Sequence, residues 1–307
     1  MPTLDPGALE RARAFLAAAR PLERTLYEHI FEAGPAWRVL DALGGFRNPD
    51  GGFGHGIEPD LLSGSSSALA TAFAMRRMLA LSVPPDHALV AGAVTWCHGA
   101  LVPHERVWPI VPDDADGAPR APWWDVEGLG ERFNGFTLNP KADLLAQLYG
   151  LGAGDDGSLD ALADDVVREV EHRAAAELDV DMHEIIACVA LVDAPHVPVP
   201  VRHRLFELLT PRIEASIGRD DAAWRHYGLR PLAIAPRPGA AYAARFADLV
   251  AAELDFLIAS QGDDGAWRPT WAWDRDDTVW ARQREVWAGV LTLEALTHLR
   301  TFERLEL

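Results

Sequence analysis

The fold prediction starts from residues 256–267, Phe-Leu-Ile-Ala-Ser-Gln-Gly-Asp-Asp-Gly-Ala-Trp. An apolar helix end leads into Gln261, whose side-chain amide can hydrogen-bond the backbone groups that a helix end leaves unpaired. Gly265 can adopt the positive φ that a tight turn needs, and the large face of Trp267 can pack on that turn. The spacing therefore predicts an anchored turn at the end of a helix.

A second copy of this frame lies near the start of the chain. Arg47, Gly51 and Phe53 have the same spacing as Gln261, Gly265 and Trp267, with Arg in place of Gln and Phe in place of Trp. Two copies of one turn in one chain indicate an internal repeat.

Helical periodicity accounts for most of the remaining sequence, and no stretch predicts a convincing strand. Amphipathic and apolar segments alternate over about twelve predicted helices, at 6–19, 22–32, 36–43, 65–81, 86–101, 144–149, 159–178, 182–192, 201–216, 222–229, 242–260 and 285–300. A long polar and aromatic loop occupies 102–137. Alternation of apolar inner helices with amphipathic outer helices favours a closed α/α toroid, with an open helical solenoid as the alternative. Closure is favoured because both chain ends are predicted to be packed helices and no polar capping repeat is seen.

Composition excludes several classes of protein. The 307 residues are 49% hydrophobic, enough for a large core in one large domain or two ordinary ones. A formal net charge of −18, from 28 basic and 46 acidic residues, argues against nucleic-acid and anionic-membrane partners. We expect no signal peptide and no transmembrane segment. The two cysteines, Cys97 and Cys188, lie in apolar surroundings, which favours reduced thiols and a cytoplasmic location.

The two turns resemble the "QW" repeat of the terpene cyclases and protein prenyltransferases. The resemblance is specific at 256–267, weaker at 46–54 and only architectural elsewhere. Residues 48–61, Asn-Pro-Asp-Gly-Gly-Phe-Gly-His-Gly-Ile-Glu-Pro-Asp-Leu, and 289–296, Gly-Val-Leu-Thr-Leu-Glu-Ala-Leu, resemble prenyltransferase-like proteins of about this length found in bacteria. The resemblance implies an all-α (α/α)6 toroid of alternating inner and outer helices, one domain over 1–307, with a central cavity for an isoprenoid.

The same resemblance suggests a proton donor. Cyclases of this fold that begin by protonation carry their acid in an Asp-x-Asp-Asp motif at the mouth of an inner helix. Here the motif is Asp179-Val180-Asp181-Met182, followed by His183. Carried over by residue, Asp181 is the donor, Asp179 its carboxylate neighbour and His183 a hydrogen-bond partner. A carboxylic acid beside another carboxylate in a dry cavity can hold its proton at neutral pH. The alternative is that Asp181 simply caps the helix.

Metal sites of related families have no counterpart in this sequence. Cys97 and Cys188 lack the Asp-x-Cys pattern of a prenyltransferase zinc site, so we predict no zinc. The aspartate-rich magnesium motif is also missing, because Asp276-Asp277 is followed by Thr278 and is expected in a loop. We therefore predict no cofactor, with Mg²⁺ a possibility only if the substrate carries a diphosphate.

A second acidic cluster follows the first turn, at His55, Glu58 and Asp60. Three such groups within six residues can bind a metal or a polar ligand, or act as acid and base. Pro59 restricts the backbone between the two acids. We predict Glu58 and Asp60 as catalytic candidates and His55 as a substrate-binding one. The alternative is a connecting loop whose carboxylates cap the helix that begins near Ser65.

Aromatic and basic residues complete the predicted site. Trp123, Trp124, Trp271 and Trp273 lie in long loops and suit the lining of a binding site, whereas Trp267 is expected to anchor its turn. Arg47, Lys141 and Arg268 could hold a diphosphate, and Lys141 follows Asn139-Pro140 at the start of an inner helix. Structural anchoring and ordinary surface charge are the alternatives.

Three functions remain open on the sequence. The first is a terpenoid cyclase-like or prenyltransferase-like enzyme that starts an acid-initiated reaction of an isoprenoid. The second is a ligand-binding or scaffold toroid without chemistry. The third is a toroid enzyme acting on a polar or sugar substrate, with stacking Trp beside two carboxylates about 5–9 Å apart. The predicted partner is a small-molecule substrate, an isoprenoid for the first function, and the oligomeric state is not predicted.

Overall fold

A computed structural model of the protein describes residues 1–153 and 157–306. These residues form helices and turns without a β-strand, which confirms the all-α prediction. The α-helices are α1 Pro6–Ala17, α2 Pro21–Glu32, α3 Ala36–Gly44, α4 Ala68–Ala80, α5 Ala88–Ala100, α6 Leu129–Arg132, α7 Lys141–Gly150, α8 Asp160–Ala175, α9 Met182–Asp193, α10 Val199–Ser216, α11 Asp221–Trp224, α12 Pro231–Ile234, α13 Ala247–Ala259 and α14 Asp277–Thr301. None of the helices in the described part of the chain is long and apolar enough to cross a membrane.

Most predicted helices lie where expected, with shifted ends. The segment predicted at 222–229 is a single turn, α11, and the helix predicted at 242–260 begins later, as α13. The predicted loop at 102–137 contains α6 and three short 3-10 turns, at Ala115–Gly117, Pro122–Trp124 and Asn134–Phe136. These short elements carry too few residues for a periodic pattern to show in the sequence.

The largest difference concerns α14. It was predicted at 285–300 but begins at Asp277, with Asp276 accepting the backbone N–H of Val279 at 3.2 Å. The loop prediction is therefore wrong for Asp277 and confirmed for Asp276, which precedes the helix as its N-cap. No residue between Asp277 and Trp287 is buried, so this part of the helix has no apolar stripe to indicate it. Ring contacts hold it instead, since Trp280 packs on Trp273 at 5.7 Å and Trp287 on Trp271 at 5.1 Å.

Contacts divide the chain into two compact units. Unit 1 comprises Met1–Leu43 and Ile217–Leu307, and unit 2 comprises Gly44–Ser216. In unit 1, α1, α2 and α14 pack on one another, and α13 packs on α11, α12 and α14. The two ends of unit 1 are joined by a backbone bridge in which the N–H of Leu4 donates to the carbonyl of Arg304 at 2.8 Å. Asp5 caps α1 and Pro6 is its first residue.

Unit 2 is built around α7 and α9. These two helices pack on each other, α7 also packs on α4 and α8, and α10 packs on α8 and α9. The α4, α7 and α9 segments are buried over most of their length, as predicted for the apolar helices. Ser67 caps α4 by accepting the N–H of Ala70 at 3.0 Å. Ser67 therefore caps this helix, and the alternative in which the Glu58 and Asp60 carboxylates cap it stays a prediction.

The turn of unit 1 confirms the predicted roles of Gly265 and Trp267. The predicted role of Gln261 is wrong, because its amide bonds α1 and the turn and not the end of α13. Gln261 Nε2 donates to the carbonyls of Ala8 and Gly265, each at 3.0 Å. Trp267 is buried, and its indole N–H donates to the Leu257 carbonyl at 2.9 Å. Gly265 has φ +90°, and a Cβ there would lie 2.3 Å from the carbonyl carbon of Arg11. The turn therefore docks on α1 through a contact that admits only glycine.

The turn of unit 2 repeats this construction at corresponding positions. Gly51 has φ +96°, and a Cβ there would lie 2.4 Å from the Gly92 carbonyl oxygen in α5. The N–H of Phe53 donates to the Thr71 hydroxyl at 3.1 Å, as that of Trp267 does to the Thr292 hydroxyl at 3.0 Å. The sequence repeat is thus a structural repeat.

Replacing Gly265 by alanine tests this docking contact. Gly265→Ala should lower the free energy of unfolding by about 2 kcal/mol or more, because a positive φ is costly for alanine and its Cβ meets the α1 backbone. Gly228→Ala is the matched control in unit 1, since nothing lies within 4 Å of a Cβ built there. It should change stability by at most about 0.5–1 kcal/mol. Urea unfolding of both variants measures the difference, and equal stabilities would contradict the docking account.

Candidate functional site

Asp181 serves as the cap of α9. Its Oδ1 accepts the backbone N–H of His183 at 2.6 Å and that of Glu184 at 3.2 Å. Glu184 Oε2 accepts the N–H of Asp181 at 3.0 Å, which completes a capping box. The Asp181 and His183 side chains are each 47% exposed. Asp179 is exposed and makes no hydrogen bond or ion pair with the described residues.

The electrostatics of Asp181 favour its ionised form. Burial opposes ionisation, but hydrogen bonds from His183 and from the backbone N–H groups of Glu184 and His183 outweigh it and hold the pKa of Asp181 below its ordinary value. A proton donor at neutral pH needs a raised pKa. The geometry thus supports the capping alternative for Asp181, and the catalytic roles of Asp179, Asp181 and His183 stay predictions.

Glu184 is a buried residue that the sequence analysis missed. Its carboxylate is 1% exposed and binds Arg173 Nη1 through both oxygens at 2.8 Å, and Asn134 Nδ2 donates to it at 3.0 Å. Arg173 also binds Glu169 at 2.7 Å. The Asp-x-x-Glu spacing of 181–184 is a capping-box signature and could have identified Glu184.

Glu58 and Asp60 lie on a segment that pairs with the loop preceding Trp124. The Ala121 N–H donates to the Asp60 carbonyl at 2.8 Å, and the Leu62 N–H to the Pro119 carbonyl at 3.0 Å. The Glu58 and Asp60 side chains are 7% and 4% exposed, and Glu58 Oε2 accepts the Asp60 N–H at 3.0 Å. Two buried carboxyl groups are thereby held beside the segment that carries the predicted Trp pair.

The paired segment also contains two buried donors without an acceptor among the described residues. They are the indole Nε1 of Trp124 and the Nε of Arg120. The rest of the Arg120 guanidinium is well bound, to Asp116 at 2.6 Å and Asp125 at 2.7 Å. A buried N–H that lacks an acceptor is costly, so this pair indicates where an oxygen atom of a ligand could bind. Arg120 was not singled out in the sequence analysis.

Aromatic rings continue from Trp124 along the same loop. Trp124 stacks on Phe133 at 5.3 Å, and Phe133 on Phe136 at 6.4 Å. Trp123 is half-buried and makes no ring contact with another described residue. Of the predicted residues, the structure therefore places Glu58, Asp60, Trp123 and Trp124 on two paired segments. We call Glu58, Asp60, Arg120 and Trp124 the paired-segment site.

His55 belongs to a different cluster from Glu58 and Asp60. It is exposed, and its Nε2 lies 2.8 Å from Asn48 Oδ1. Asn48 Nδ2 donates to Ser66 Oγ at 3.0 Å, and Ser66 Oγ donates to Asp50 at 2.8 Å. Ser66 also lines an open cleft of about 180 Å³, together with Trp96, Trp108, Pro109, Pro112 and Asp113. The three residues that the sequence grouped together thus lie in two environments.

Arg47, Asn139 and Lys141 have local structural roles. The Arg47 guanidinium packs against Gly92, where an added Cβ would lie 2.8 Å from its Nη2. Asn139 precedes a cis peptide bond to Pro140. Lys141 is 3% exposed and binds Asp165 at 3.1 Å. Their predicted parts in substrate binding stay predictions.

Unit 1 contains the other two predicted tryptophans. Trp273 is 1% exposed and packs on Trp280, which is a core contact. Trp271 lies between Tyr227 and Trp287, at 5.3 and 5.1 Å, and its indole N–H is buried without an acceptor among the described residues.

Unit 1 also holds a buried acid that the sequence analysis missed. Glu253 is 2% exposed and accepts from Arg230 Nε at 2.7 Å and from the Leu232 N–H at 2.6 Å. Burial raises its pKa, although Arg230 and the Leu232 N–H act in the opposite direction. A Glu within the apolar run of α13 is the only sequence signal for it. Glu253 ties α12 to α13.

Metal ligands do not cluster in the described residues. Nowhere in 1–153 and 157–306 do three His, Cys, Asp or Glu side chains form a group that could hold a metal ion. Within unit 2, the paired-segment site is the place where buried carboxyl groups and unsatisfied donors occur together on contacting backbone. Such a set can bind a hydroxyl or carbonyl oxygen and exchange a proton with it.

Comparison with known proteins adds no relative. No protein-family model matches the chain, and a search of curated proteins finds no match.

The unsatisfied Trp124 N–H can be detected as a stability difference. Trp124→Phe removes a donor that has no acceptor, whereas Trp108→Phe removes one that donates to the Cys97 carbonyl at 2.7 Å. Both tryptophans are buried in unit 2, so the lost ring volume is matched. Trp108→Phe should therefore cost about 1 kcal/mol more, as measured by urea unfolding. A larger cost for Trp124→Phe would mean that Trp124 has an acceptor in solution.

The capping role of Asp181 predicts a pH dependence with a definite sign. The folded pKa lies below the unfolded value, so the contribution to stability is present above about pH 4 and is lost as the pH falls through the folded pKa. Asp181→Ala should cost about 1 kcal/mol at neutral pH, whereas Asp181→Asn should retain most of the cap and lose its pH dependence. Unfolding curves at neutral and acid pH measure this. Equal losses in both variants at neutral pH would refute capping.

Proposed function

We propose that the protein is an enzyme that carries out acid–base chemistry on an uncharged, oxygen-bearing small molecule, such as a sugar, at the paired-segment site. The observation that carries this proposal is the pair of buried, unsatisfied donors, Trp124 Nε1 and Arg120 Nε, on the segment that pairs with Glu58-Pro59-Asp60. Paired carboxyl groups beside an aromatic ring are suited to reactions at hydroxyl-bearing carbons.

The donors favour a polar ligand over a pure hydrocarbon. An isoprenoid chain offers no acceptor, so its binding would leave both N–H groups unpaired in a dry site. A hydroxyl, ether or carbonyl oxygen would satisfy them. In this proposal Trp124 and Arg120 bind the substrate oxygen, and Glu58 and Asp60 act as acid and base.

Charge favours an uncharged ligand over a diphosphate. Arg120 is the cation of this segment, and its charge is already matched by Asp116 and Asp125. A diphosphate is bound best by cations with unmatched charge. We therefore propose no Mg²⁺ for this reaction, since Mg²⁺ was tied to a diphosphate substrate.

We also propose that the chain adopts the predicted (α/α)6 toroid. The turn repeated at 47–53 and 261–267, with the same glycine contact and the same threonine acceptor, supports the (α/α)6 toroid and the cyclase-type repeat family. We also propose a single domain over 1–307 and a cytoplasmic location. The location is supported by two buried free thiols, and burial raises the pKa of Cys97 to about 12.

Acid-initiated isoprenoid chemistry is the second candidate. The stacked series Trp124–Phe133–Phe136 favours it, because aromatic faces stabilise a developing carbocation. In that case the low pKa of Asp181 leaves Glu58 or Asp60 as the better candidate for the acid.

Substrate panels with matched variants distinguish these functions. We would incubate the protein with trehalose, maltose and cellobiose, and in parallel with prenyl diphosphates of increasing length and squalene, and analyse products by mass spectrometry. Turnover of a sugar should fall at least about 100-fold in Glu58→Gln or Asp60→Asn, and Trp124→Phe should weaken binding about tenfold. The exposed Asp86→Asn in unit 2 is the control and should keep full activity.

Each other result would overturn the proposal in a particular way. A cyclised isoprenoid product lost in Asp181→Asn would establish the second candidate with its originally predicted acid. A cyclised product lost in Glu58→Gln instead would keep the site and change the substrate. Binding without turnover, unaffected by Glu58→Gln and Asp60→Asn, would identify a non-catalytic ligand-binding protein.

A further inference from the structure

Lys141 is the only lysine of the chain and lies at the centre of a basic cluster in unit 2. Its Nζ is 3.1 Å from Asp165 Oδ2, and Arg106 Nε is 2.6 Å from the same oxygen. Arg168 binds the other oxygen of Asp165. Three cations therefore share one carboxylate, which leaves a local excess of positive charge in a protein whose net charge is −18.

Neighbouring acids do not offset this excess. Asp143 binds Arg76 at 2.5 Å and Glu169 binds Arg173 at 2.7 Å, so both have a cationic partner outside the cluster. Glu105 lies 3.1 Å from His104, which is charged only when protonated, and its side chain is 60% exposed to solvent. Asp164 is exposed, so solvent screens it.

Several N–H donors of the Lys141 and Arg106 side chains make no hydrogen bond to the described residues. Lys141 has three N–H donors and makes one hydrogen bond to the described residues, although its side chain is only 4% exposed. Arg106 uses Nε alone, so its two terminal nitrogens have no acceptor in the described part of the chain. The Arg106 and Arg168 side chains are 42% and 64% exposed, so a ligand can reach them from solvent.

We propose that Arg106, Lys141 and Arg168 form a binding site for a phosphate group of a small molecule. Arginine pairs with phosphate through two parallel hydrogen bonds, and a lysine ammonium adds a compact charge. The position of Lys141 as the first residue of α7 adds the partial positive charge of a helix start. None of these residues belongs to the paired-segment site, and the proposal does not rest on the proposed function.

The energetics of Lys141 are consistent with an anion nearby. Burial lowers its pKa most, Asp165 raises it, and the positive charges of Arg106 and Arg168 lower it further. A bound phosphate would counter the repulsion among the three cations. Asp165 meanwhile repels the anion, so it limits the affinity of the site.

Isothermal titration with inorganic phosphate and with pyrophosphate tests the site, with chloride at equal ionic strength as the salt control. Phosphate should bind the wild type, and Arg168→Gln and Arg106→Gln should each weaken it about tenfold, by loss of a charge-assisted hydrogen bond. Arg202→Gln removes an exposed charge elsewhere in unit 2 and should leave binding unchanged. Equal binding by all four proteins, or no binding by the wild type, would overturn the proposal.

A second variant changes affinity in the opposite direction. Asp165→Asn should lower the melting temperature in chloride, because it leaves three cations without their carboxylate. It should also bind phosphate more tightly than the wild type, and phosphate should restore its melting temperature. A purely structural ion-pair cluster would give the first effect alone, and that result would contradict a phosphate site even if Arg106→Gln failed to fold.

Discussion

Close contact between backbones at two glycines is the constraint on which both units depend. A turn can lie against a helix backbone only where no Cβ intervenes, and Gly265 on α1 and Gly51 on α5 meet this condition with positive φ. Each turn then donates a backbone N–H to a buried threonine of another helix, Thr292 of α14 or Thr71 of α4. One short segment thereby ties two helices together. These contacts position α1 and α14 in unit 1, and α4 and α5 in unit 2.

Buried polar groups in this protein fall into two classes. Glu184 with Arg173, and Glu253 with Arg230, are carboxylates whose oxygens are bound by charged partners and backbone N–H groups. Such groups stabilise helix junctions and have few lone pairs left for a ligand. The other class consists of buried donors that no acceptor among the described residues meets, namely Trp124 Nε1, Arg120 Nε, Trp271 Nε1 and Arg230 Nη2. The paired-segment site is therefore distinguished by the unmet hydrogen-bonding capacity of Trp124 and Arg120.

The sequence predicts the features that depend on local spacing. Gly265 and Trp267 lie within one turn, so their roles follow from residue type and separation alone. The bond from Gln261 to Ala8 of α1 does not, because it joins residues far apart in the chain. The capping of α9 could be predicted in the same way from the spacing of Asp181 and Glu184. The backbone hydrogen bond between Asp60 and Ala121 could not be predicted from the sequence, because it depends on how α4 and α5 fold between them. The different exposure of His55 and Glu58 could not be predicted for a related reason, since adjacency in the chain does not determine which side chains the fold buries.

The start of α14 has a consequence for motion. Between Asp277 and Trp287 no side chain is buried, whereas Ala288 and several residues beyond it lie in the core. Free energy of local opening follows buried contact, so the first turns of this helix can unwind while the rest stays folded. Trp273 and Trp271 hold those turns through ring contacts with Trp280 and Trp287. Helix α14 thus has a buried part that begins at Ala288 and an exposed first part, 277–287. Two pairs of indole rings hold the exposed part in place.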